Sequence, residues 1–311
     1  MTTTQQLLSR LTQAGYAARV VSAERLATLE REIGALYQQG LIDRTLHEHY
    51  LAEDHDFRLL DRIPTIRSLI VVAAPRSLAS VTFHRNGQEI PVKLSSSVIE
   101  ENRLRERARV ILAEELGRAG YQTLDVSLPE KLLAVHSGLG RYGRNNLCYV
   151  PGMGSLNSLA VFGTDLDCEQ NTWQELAQLE VCAKCTACLR ACPTQAITGD
   201  RFLLRAERCL AFFNERPGPF PEWVDPSWHN AVVGCLRCQT ICPQNKPYAV
   251  DIERAAFSAE ETDRLLSGEP LERLPEELAD KLLELGLTRY YAVLSRNLSA
   301  LLAKGLHQGE K

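Results

Sequence analysis

The 311-residue sequence has no long hydrophobic run, few aromatic residues and no excess of positive charge. No stretch approaches the roughly 20 apolar residues that a membrane-spanning helix needs, so we expect no membrane association. The 35 lysines and arginines are outnumbered by 39 aspartates and glutamates, and only 6% of the residues are aromatic. The chain therefore lacks the basic field and the stacking surfaces typical of nucleic-acid-binding proteins. We expect no DNA partner, and any RNA contact has to be local.

The first ten residues, Met1 to Arg10, lack the basic start and the apolar core of a secretory signal. We therefore expect a cytoplasmic protein. Hydrophobic residues make up 45% of the chain and charged residues 24%, which are ordinary globular values and argue against a disordered or fibrous chain. In the reducing cytoplasm the ten cysteines are better interpreted as metal ligands or free thiols than as disulfides.

Eight of the ten cysteines form two runs that resemble the cluster-binding motif of bacterial ferredoxins. The first run, C-x2-C-x2-C-x3-C-P, comprises Cys182, Cys185, Cys188, Cys192 and Pro193. The second set comprises Cys209, Cys235, Cys238, Cys242 and Pro243. In two-cluster ferredoxins the fourth cysteine of a run binds the other cluster. We therefore predict two [4Fe–4S] clusters, one bound by Cys182, Cys185, Cys188 and Cys242 and the other by Cys192, Cys209, Cys235 and Cys238.

Two structural zinc sites with four thiolates each are the alternative for these eight cysteines. Zinc sites usually pair C-x2-C knuckles across a longer spacer, and they do not need three cysteines within seven residues followed by C-P. The clusters are therefore the favoured interpretation. Cys148 and Cys168 lie outside the pattern and have no local basic partner, so we expect inert thiols at these positions.

The first 177 residues show a mixed pattern of helices and strands. Leucines at three- and four-residue spacing predict helix over residues 2–39 and over about 97–118. Apolar runs predict strands, among them Ser68–Ala74, a hairpin turning at Asn86-Gly87, and segments near 121–126, 146–150 and 156–163. We predict an α/β (α+β) sandwich domain over 1–177, a ferredoxin-like domain with two [4Fe–4S] clusters over 178–250, and a C-terminal helical segment over 251–311.

A glycine-rich segment, Gly138-Leu-Gly140-Arg-Tyr-Gly143, matches the dinucleotide-binding pattern G-x-G-x-x-G. A helical segment precedes it and a strand-like segment follows, which is the reverse of the order in a Rossmann unit. A dinucleotide site is therefore not expected. The glycines, together with Arg144 and Asn145, indicate a backbone that closely approaches a flat or anionic group or, equally, a tight turn.

The segments HSGLGRYGRNNLCYVPGMGSLNSLAVFGTDLD, CAKCTACLRACPTQAI and GCLRCQTICPQNK together resemble the epoxyqueuosine reductases and, more distantly, the corrinoid-dependent reductive dehalogenases. The resemblance extends through RSLIVVAAP and RYYAVLSRNLSALL, over roughly residues 60 to 300. It implies a cobalamin or related corrinoid bound between the α/β domain and the ferredoxin-like domain. Electrons would pass to the cobalt through the two clusters.

The resemblance also assigns roles to residues near the glycine segment. The family's cofactor loop matches Gly138, Gly140, Gly143, Arg144, Asn145, Gly154 and Ser155. Asp125 is the nearest match to the family's catalytic acid, and an ordinary strand-end carboxylate is the alternative. Tyr142 is a second candidate proton donor, with aromatic packing against the loop as its alternative, and His136 is expected to be packed rather than bound to cobalt.

Two departures from the family bear on the substrate. The sequence has SSSVIEENRLRER where the family has Asp-Tyr-His, and it stops soon after Leu302, without the C-terminal helical repeats that help to bind tRNA. Both weaken the prediction of tRNA as the substrate. We therefore predict a reductase that takes electrons from an external low-potential donor and acts on a small molecule or a modified nucleoside. The alternative is a non-catalytic electron carrier or corrinoid reactivator that acts on a partner.

Overall fold

The computed structural model of the chain describes residues 1–48, 55–95 and 97–307. The chain divides into two compact units, each assembled from segments that are distant in sequence. Unit 1 comprises Met1–Arg76, Glu100–Thr186 and Ile197–Glu207, and unit 2 comprises Ser77–Ile99, Ala187–Ala196 and Arg208–Lys311. The division at residues 177 and 250 stays a prediction, and residues 308–311 of the third predicted segment lie outside the described residues.

The strands alternate irregularly with the helices along the chain. The strands are β1 (Ala17–Ser22), β2 (Ser68–Pro75), β3 (Leu78–Arg85), β4 (Gln88–Leu94), β5 (Thr123–Asp125), β6 (Arg141–Tyr142), β7 (Cys148–Tyr149), β8 (Asn157–Thr164) and β9 (Asp251–Phe257). The α-helices are α1 (Thr3–Gln13), α2 (Leu26–Gln38), α3 (Arg44–Glu48), α4 (Leu59–Arg62), α5 (Ser97–Arg118), α6 (Glu130–His136), α7 (Ala187–Ala191), α8 (Leu210–Asn214), α9 (Arg237–Thr240), α10 (Ala259–Ser267), α11 (Glu276–Glu284) and α12 (Tyr291–His307).

Unit 1 is built on an antiparallel sheet with strand order β1-β2-β8-β5. Side chains of β2 point alternately to the two faces. Ile70 and Val72 pack on the side covered by α1 and α5, whereas Leu69 and Val71 pack on the side covered by α2 and α6. Burial on both faces explains the continuous apolar run in the sequence, and the sandwich predicted for this region is confirmed.

Unit 2 contains a three-stranded sheet in which β3 lies between β4 and β9. The β3–β4 hairpin turns at Asn86 (φ 51°) and Gly87 (φ 74°), both in the left-handed region that a two-residue hairpin turn requires. The third strand, β9, pairs with β3 in parallel. Helices α10, α11 and α12 cover this sheet, and Phe83 stacks on Phe257 in its core with ring centroids 4.7 Å apart.

One local prediction was wrong, and one further strand was not predicted. Residues 17–22 form strand β1, not helix, because Gly15 at φ 83° ends α1 and the β-branched pair Val20-Val21 then pairs with β2. The helical C-terminal segment is confirmed by α10, α11 and α12, and β9 precedes these helices because residues 251–257 complete the sheet of the β3–β4 hairpin. Each segment is a strand through pairing with a partner distant in sequence, which periodicity within the segment does not reveal.

Candidate functional site

The motif cysteines of unit 2 lie close together. Burial raises the pKa of Cys238 well above its ordinary value, and four neighbouring thiols raise it further, in decreasing order Cys235, Cys209, Cys188 and Cys192. Burial likewise raises the pKa of Cys235 to about 12. None of these cysteines forms a disulfide. A partly buried group of neighbouring thiols is a suitable donor set for iron, which binds the thiolate form and removes the proton.

Short helices and turns hold these thiols in place. Cys209 immediately precedes α8, and the backbone N–H groups of Ala211 and Phe212 donate to its sulfur. The N–H of Arg237, in the first turn of α9, donates to the sulfur of Cys235. Helix α9 packs against α7 from the first cysteine run. Backbone amides that point at the sulfurs are the environment in which iron–sulfur clusters are bound.

The four ligands predicted for the other cluster, Cys182, Cys185, Cys188 and Cys242, are divided between the two units. Cys182 and Cys185 belong to unit 1, where the N–H of Cys185 donates to the carbonyl of Cys182 at 3.3 Å. Cys188 and Cys242 belong to unit 2. The assignment of each cysteine to one or the other cluster stays a prediction.

The glycine-rich segment forms a small hairpin in unit 1. Its strands β6 and β7 pair Arg141 with Tyr149 and Tyr142 with Cys148. A Cβ atom on Gly140 would lie 2.6 Å from the Cys148 sulfur and 2.8 Å from the Tyr149 carbonyl oxygen. Gly140 is therefore required by the packing of the hairpin itself, whatever ligand the hairpin binds.

Local contacts and backbone angles also explain the other glycines of the predicted loop. A Cβ atom on Gly143 would collide with the Tyr149 ring. Gly138 has φ 74°, and a Cβ atom there would lie 2.7 Å from the side-chain amide nitrogen of Gln174. Gly154, at φ 58°, accepts hydrogen bonds from the Val150 N–H and the Asn157 side chain. Ser155 beside it is buried.

The polar residues of the hairpin bind backbone and side-chain groups nearby. The Arg144 guanidinium donates to the carbonyl of Cys182 at 2.5 Å, which connects the hairpin directly to the first cysteine run. Asn145 is buried and donates to the Tyr149 hydroxyl at 3.1 Å. Tyr142 is also buried and packs edge-on against Phe202. Roles for these residues in corrinoid binding or catalysis stay predictions.

His136 connects the hairpin to the segment that precedes the first cysteine run. Its ring is fully buried and stacks on Trp173 with centroids 4.2 Å apart. Its Nδ1 lies 2.6 Å from the Gln174 carbonyl oxygen, and its Nε2 lies 2.8 Å from a carboxylate oxygen of Glu32. Because a carbonyl oxygen only accepts, Nδ1 must carry a hydrogen. His136 is thus packed and hydrogen-bonded, as expected.

Asp125, the predicted catalytic acid, lies at the end of β5 with its side chain 43% exposed. Arg109 donates to its Oδ2 at 2.7 Å and at 3.0 Å, and Arg105 lies 3.9 Å from its Oδ1. These contacts place Asp125 in an exposed ion pair with Arg109 at the end of the strand. Its catalytic role stays a prediction.

Sequence reasoning missed Glu130, which shares Arg105 with Asp125. Glu130 begins α6 and forms an ion pair with Arg105, with its side chain 21% exposed. Burial raises the pKa of Glu130 to about 7, although Arg105 opposes the shift. Acidic residues are common in the first turn of helices, so the sequence contained no signal that distinguished this one.

The two cysteines outside the motif behave as expected for inert thiols. Burial raises the pKa of Cys148 to about 12, and Cys148 lies under Gly140 in the hairpin. Burial also raises the pKa of Cys168.

Within the residues that the structure describes, no helix combines the length and apolarity needed to cross a bilayer.

Comparison with known proteins identifies the cluster domain. The family described as "4Fe-4S double cluster binding domain" matches residues 181–245. This match confirms the prediction of a double [4Fe–4S] domain and favours it over the zinc alternative. The segment contains all eight motif cysteines.

The chain is also similar to epoxyqueuosine reductases. It is 32% identical to the epoxyqueuosine reductase of Gloeobacter violaceus over 195 residues, which cover 59% of this chain and 58% of the relative. The match spans less than two thirds of the length of this and other curated relatives.

Two solved structures have a similar fold. The epoxyqueuosine reductase of Streptococcus thermophilus aligns with a TM-score of 0.69 at 19% identity, covering 99% of this chain and 82% of that one. An epoxyqueuosine reductase in complex with an epoxyqueuosine-modified tRNA-Tyr stem loop aligns with a TM-score of 0.67 at 22% identity, covering 96% and 80%. The resemblance predicted from the sequence motifs is therefore confirmed.

Proposed function

We propose that this chain, a relative of the epoxyqueuosine reductases, is an iron–sulfur reductase that passes low-potential electrons through two [4Fe–4S] clusters to a corrinoid. The observation that carries the proposal is the double-cluster domain at residues 181–245, together with the partly buried group of thiols that includes Cys209, Cys235 and Cys238. Clusters suit this task because their potentials extend to about −700 mV, and corrinoid reduction requires the low end.

The residues proposed to hold the corrinoid are those of the glycine hairpin and the loop after it. Gly138, Gly140, Gly143, Arg144 and Asn145 belong to the first segment, and Gly154 and Ser155 to the second. A bound corrinoid would supply a reducible cobalt that attacks or coordinates an electrophile. The Arg144 bond to the Cys182 carbonyl supports the proposal, because it connects the proposed corrinoid loop to a proposed cluster ligand.

Reduction of the substrate requires a proton. The sequence suggests Asp125 and Tyr142 as its donors, and we add Glu130 as a third candidate from the structure. A general acid works best with a pKa near the working pH. Glu130 meets this condition, with a pKa raised by burial to about 7. Comparing Asp125→Asn, Tyr142→Phe and Glu130→Gln in single-turnover assays tests the three candidates, and the true donor is the one whose loss alters the pH profile of the rate.

We propose a small electrophile or a modified nucleoside as the substrate, an external low-potential protein as the electron donor, and the cytoplasm as the location. One structural neighbour is bound to an epoxyqueuosine-modified tRNA stem loop. The epoxide in tRNA is therefore the first substrate to test. If tRNA from cells lacking the protein accumulates the unreduced epoxide, the nucleoside is the substrate; if it does not, a small electrophile takes its place.

Anaerobic purification with supplied cobalamin tests the proposed function. We expect about eight irons per chain and a change in the cobalamin absorption spectrum on mixing. Cys209→Ala should lose about half of the iron, because it removes a ligand of one cluster, and Cys168→Ala is the matched control that keeps all of it. Full iron content without any change in the cobalamin spectrum would refute the corrinoid and favour an electron carrier.

A further inference from the structure

The segment RYYAVLSRNLSALL in α12 carries part of the family resemblance but has no role in the proposed reaction. Its Asn297 is completely buried. A buried amide is costly unless its hydrogen-bonding groups have partners. The partners of Asn297 therefore indicate why an amide stands in an otherwise apolar helix face.

Asn297 uses both ends of its amide within unit 2. Its Nδ2 donates to the carbonyl oxygens of Asn214 at 2.8 Å and Val232 at 2.9 Å. Its Oδ1 accepts from the Arg296 guanidinium at 3.0 and 3.2 Å. Arg296 in turn donates to the carbonyl of Phe213 at 2.7 Å. Helix α12 thus binds two separate segments, the end of α8 and the segment at Val232, through their carbonyl groups.

A second buried amide extends this network towards the cysteines. Asn214, also completely buried, donates from Nδ2 to the carbonyl oxygen of Gly234 at 2.7 Å. Asn214 is the last residue of α8, the helix that follows Cys209. Gly234 directly precedes Cys235. The two amides therefore connect α12 to the segments that carry both cysteines.

These segments also carry the amides that donate to the cysteine sulfurs. The N–H groups of Ala211 and Phe212 in α8 donate to Cys209. The reduction potential of an iron–sulfur cluster depends on hydrogen bonds to its sulfurs and on groups that fix their direction. Displacing α8 or residue 234 would therefore change the number or direction of these bonds.

We propose that Asn214 and Asn297 are positioning residues for the cluster bound by Cys192, Cys209, Cys235 and Cys238, and that they set its reduction potential. The proposal rests on the cluster assignment within the proposed function, and it does not depend on the corrinoid. Neither side chain binds iron. Both act through the backbone that carries the ligands.

The test replaces the donating amide by a carboxylate of the same size. In the unaltered protein these amides donate to carbonyl oxygens. Asn297→Asp and Asn214→Asp each replace the donating nitrogen by an oxygen, which faces the same carbonyl oxygen without a hydrogen bond. Ser299→Ala is the matched control, because this exposed serine of α12 bonds only to the Ser295 carbonyl of its own helix. The readouts are iron content, the paramagnetic resonance signal of each reduced cluster, and the midpoint potential of each by redox titration.

We expect both amide variants to shift the potential and signal of the cluster whose signal Cys209→Ala abolishes, and to leave the other cluster unchanged. Ser299→Ala should change neither. If the carboxylate variants do not fold, Arg296→Lys provides a milder change, because lysine lacks the planar fork through which Nε and Nη2 both donate to Asn297. Unchanged signals, or equal loss of both clusters, would overturn the inference. Iron-free unaltered protein would instead refute the proposed function.

Discussion

Individual carboxylates in unit 1 differ in environment although they share an arginine. Asp125 is exposed and bound by Arg109, whereas Glu130 is largely buried beside Arg105. Burial disfavours the charged form and outweighs the arginine at Glu130, because the loss of hydration is larger than the gain from one ion pair. Glu130 is therefore expected to titrate at a higher pH than an ordinary glutamate.

Glu130 should reduce the stability of the protein as the pH rises. Its pKa increases from the ordinary 4.5 to about 7 in the folded state, so the folded protein binds this proton more tightly than the unfolded chain does. The contribution of protonated Glu130 to the free energy of unfolding is complete below pH 4.5 and is lost as the pH rises through 7. Relative to the unaltered protein, Glu130→Gln should gain up to about 3 kcal/mol in free energy of unfolding across this window. Urea unfolding at several pH values measures it.

The exposed Glu114 of α5 provides the control for this experiment. Glu114→Gln should leave the pH dependence of the unfolding free energy parallel to that of the unaltered protein. A parallel curve for Glu130→Gln as well would show that Glu130 titrates at an ordinary pH.

His136 is a second residue whose environment defines its role. His136→Phe keeps the stacking on Trp173 but removes the donor that faces the Gln174 carbonyl. A hydrogen bond of this kind contributes about 0.5–1.5 kcal/mol, so we expect a loss of that size in the free energy of unfolding. Glu32→Gln, which leaves the bond between Nδ1 and the Gln174 carbonyl intact, should cost less. Equal losses in the two variants would contradict this assignment.

At the scale of secondary structure, the glycine hairpin is determined by contacts between its own two strands. Gly140→Ala would place a methyl group 2.8 Å from the Tyr149 carbonyl oxygen, and backbone atoms cannot move aside as a flexible side chain would. We expect a loss of about 1–3 kcal/mol in the free energy of unfolding. Gly117→Ala in α5, where nothing lies within 4 Å, should instead stabilise the protein by about 0.5–1 kcal/mol. Guanidinium unfolding of both variants provides the comparison.

The sequence predicted those elements whose signal is local. The turn at Asn86-Gly87, helix α5 and strand β2 are recognisable from dipeptides, periodicity and apolar runs, and the structure confirms them. Strands β1 and β9 were missed because each exists through pairing with a distant strand. Glu130 was missed for a related reason, since its burial depends on α5 and not on its own neighbours in sequence.

At the scale of the whole molecule, the cysteine spacing predicted the cluster domain, but the composition of the two units was not evident from the sequence. The β3–β4 hairpin lies within the first 177 residues, yet it belongs to unit 2 through β9. The cysteines of the first run are likewise divided between the units. A division of the chain into contiguous segments therefore does not describe the two units, because each unit contains segments that are distant in sequence.

Removing the iron should destabilise unit 2 selectively. The free energy of binding a cluster contributes to folding, and apo-protein leaves several partly buried thiols close to one another. We expect hydrogen exchange of α8, α9 and residues 232–235 to increase after chelation, while β2 and β8 stay protected. Mass spectrometry of holo- and apo-protein measures this difference. An equal increase throughout the chain would contradict it.

The parallel pairing of β3 with β9 also constrains the order of events during synthesis. The hairpin of residues 78–94 emerges early from the ribosome, but its sheet gains its third strand only after residue 257 has been translated. By then all eight motif cysteines have been added to the chain. Contacts between such distant segments form slowly. Iron delivery and closure of this sheet therefore belong to the same late stage of biogenesis.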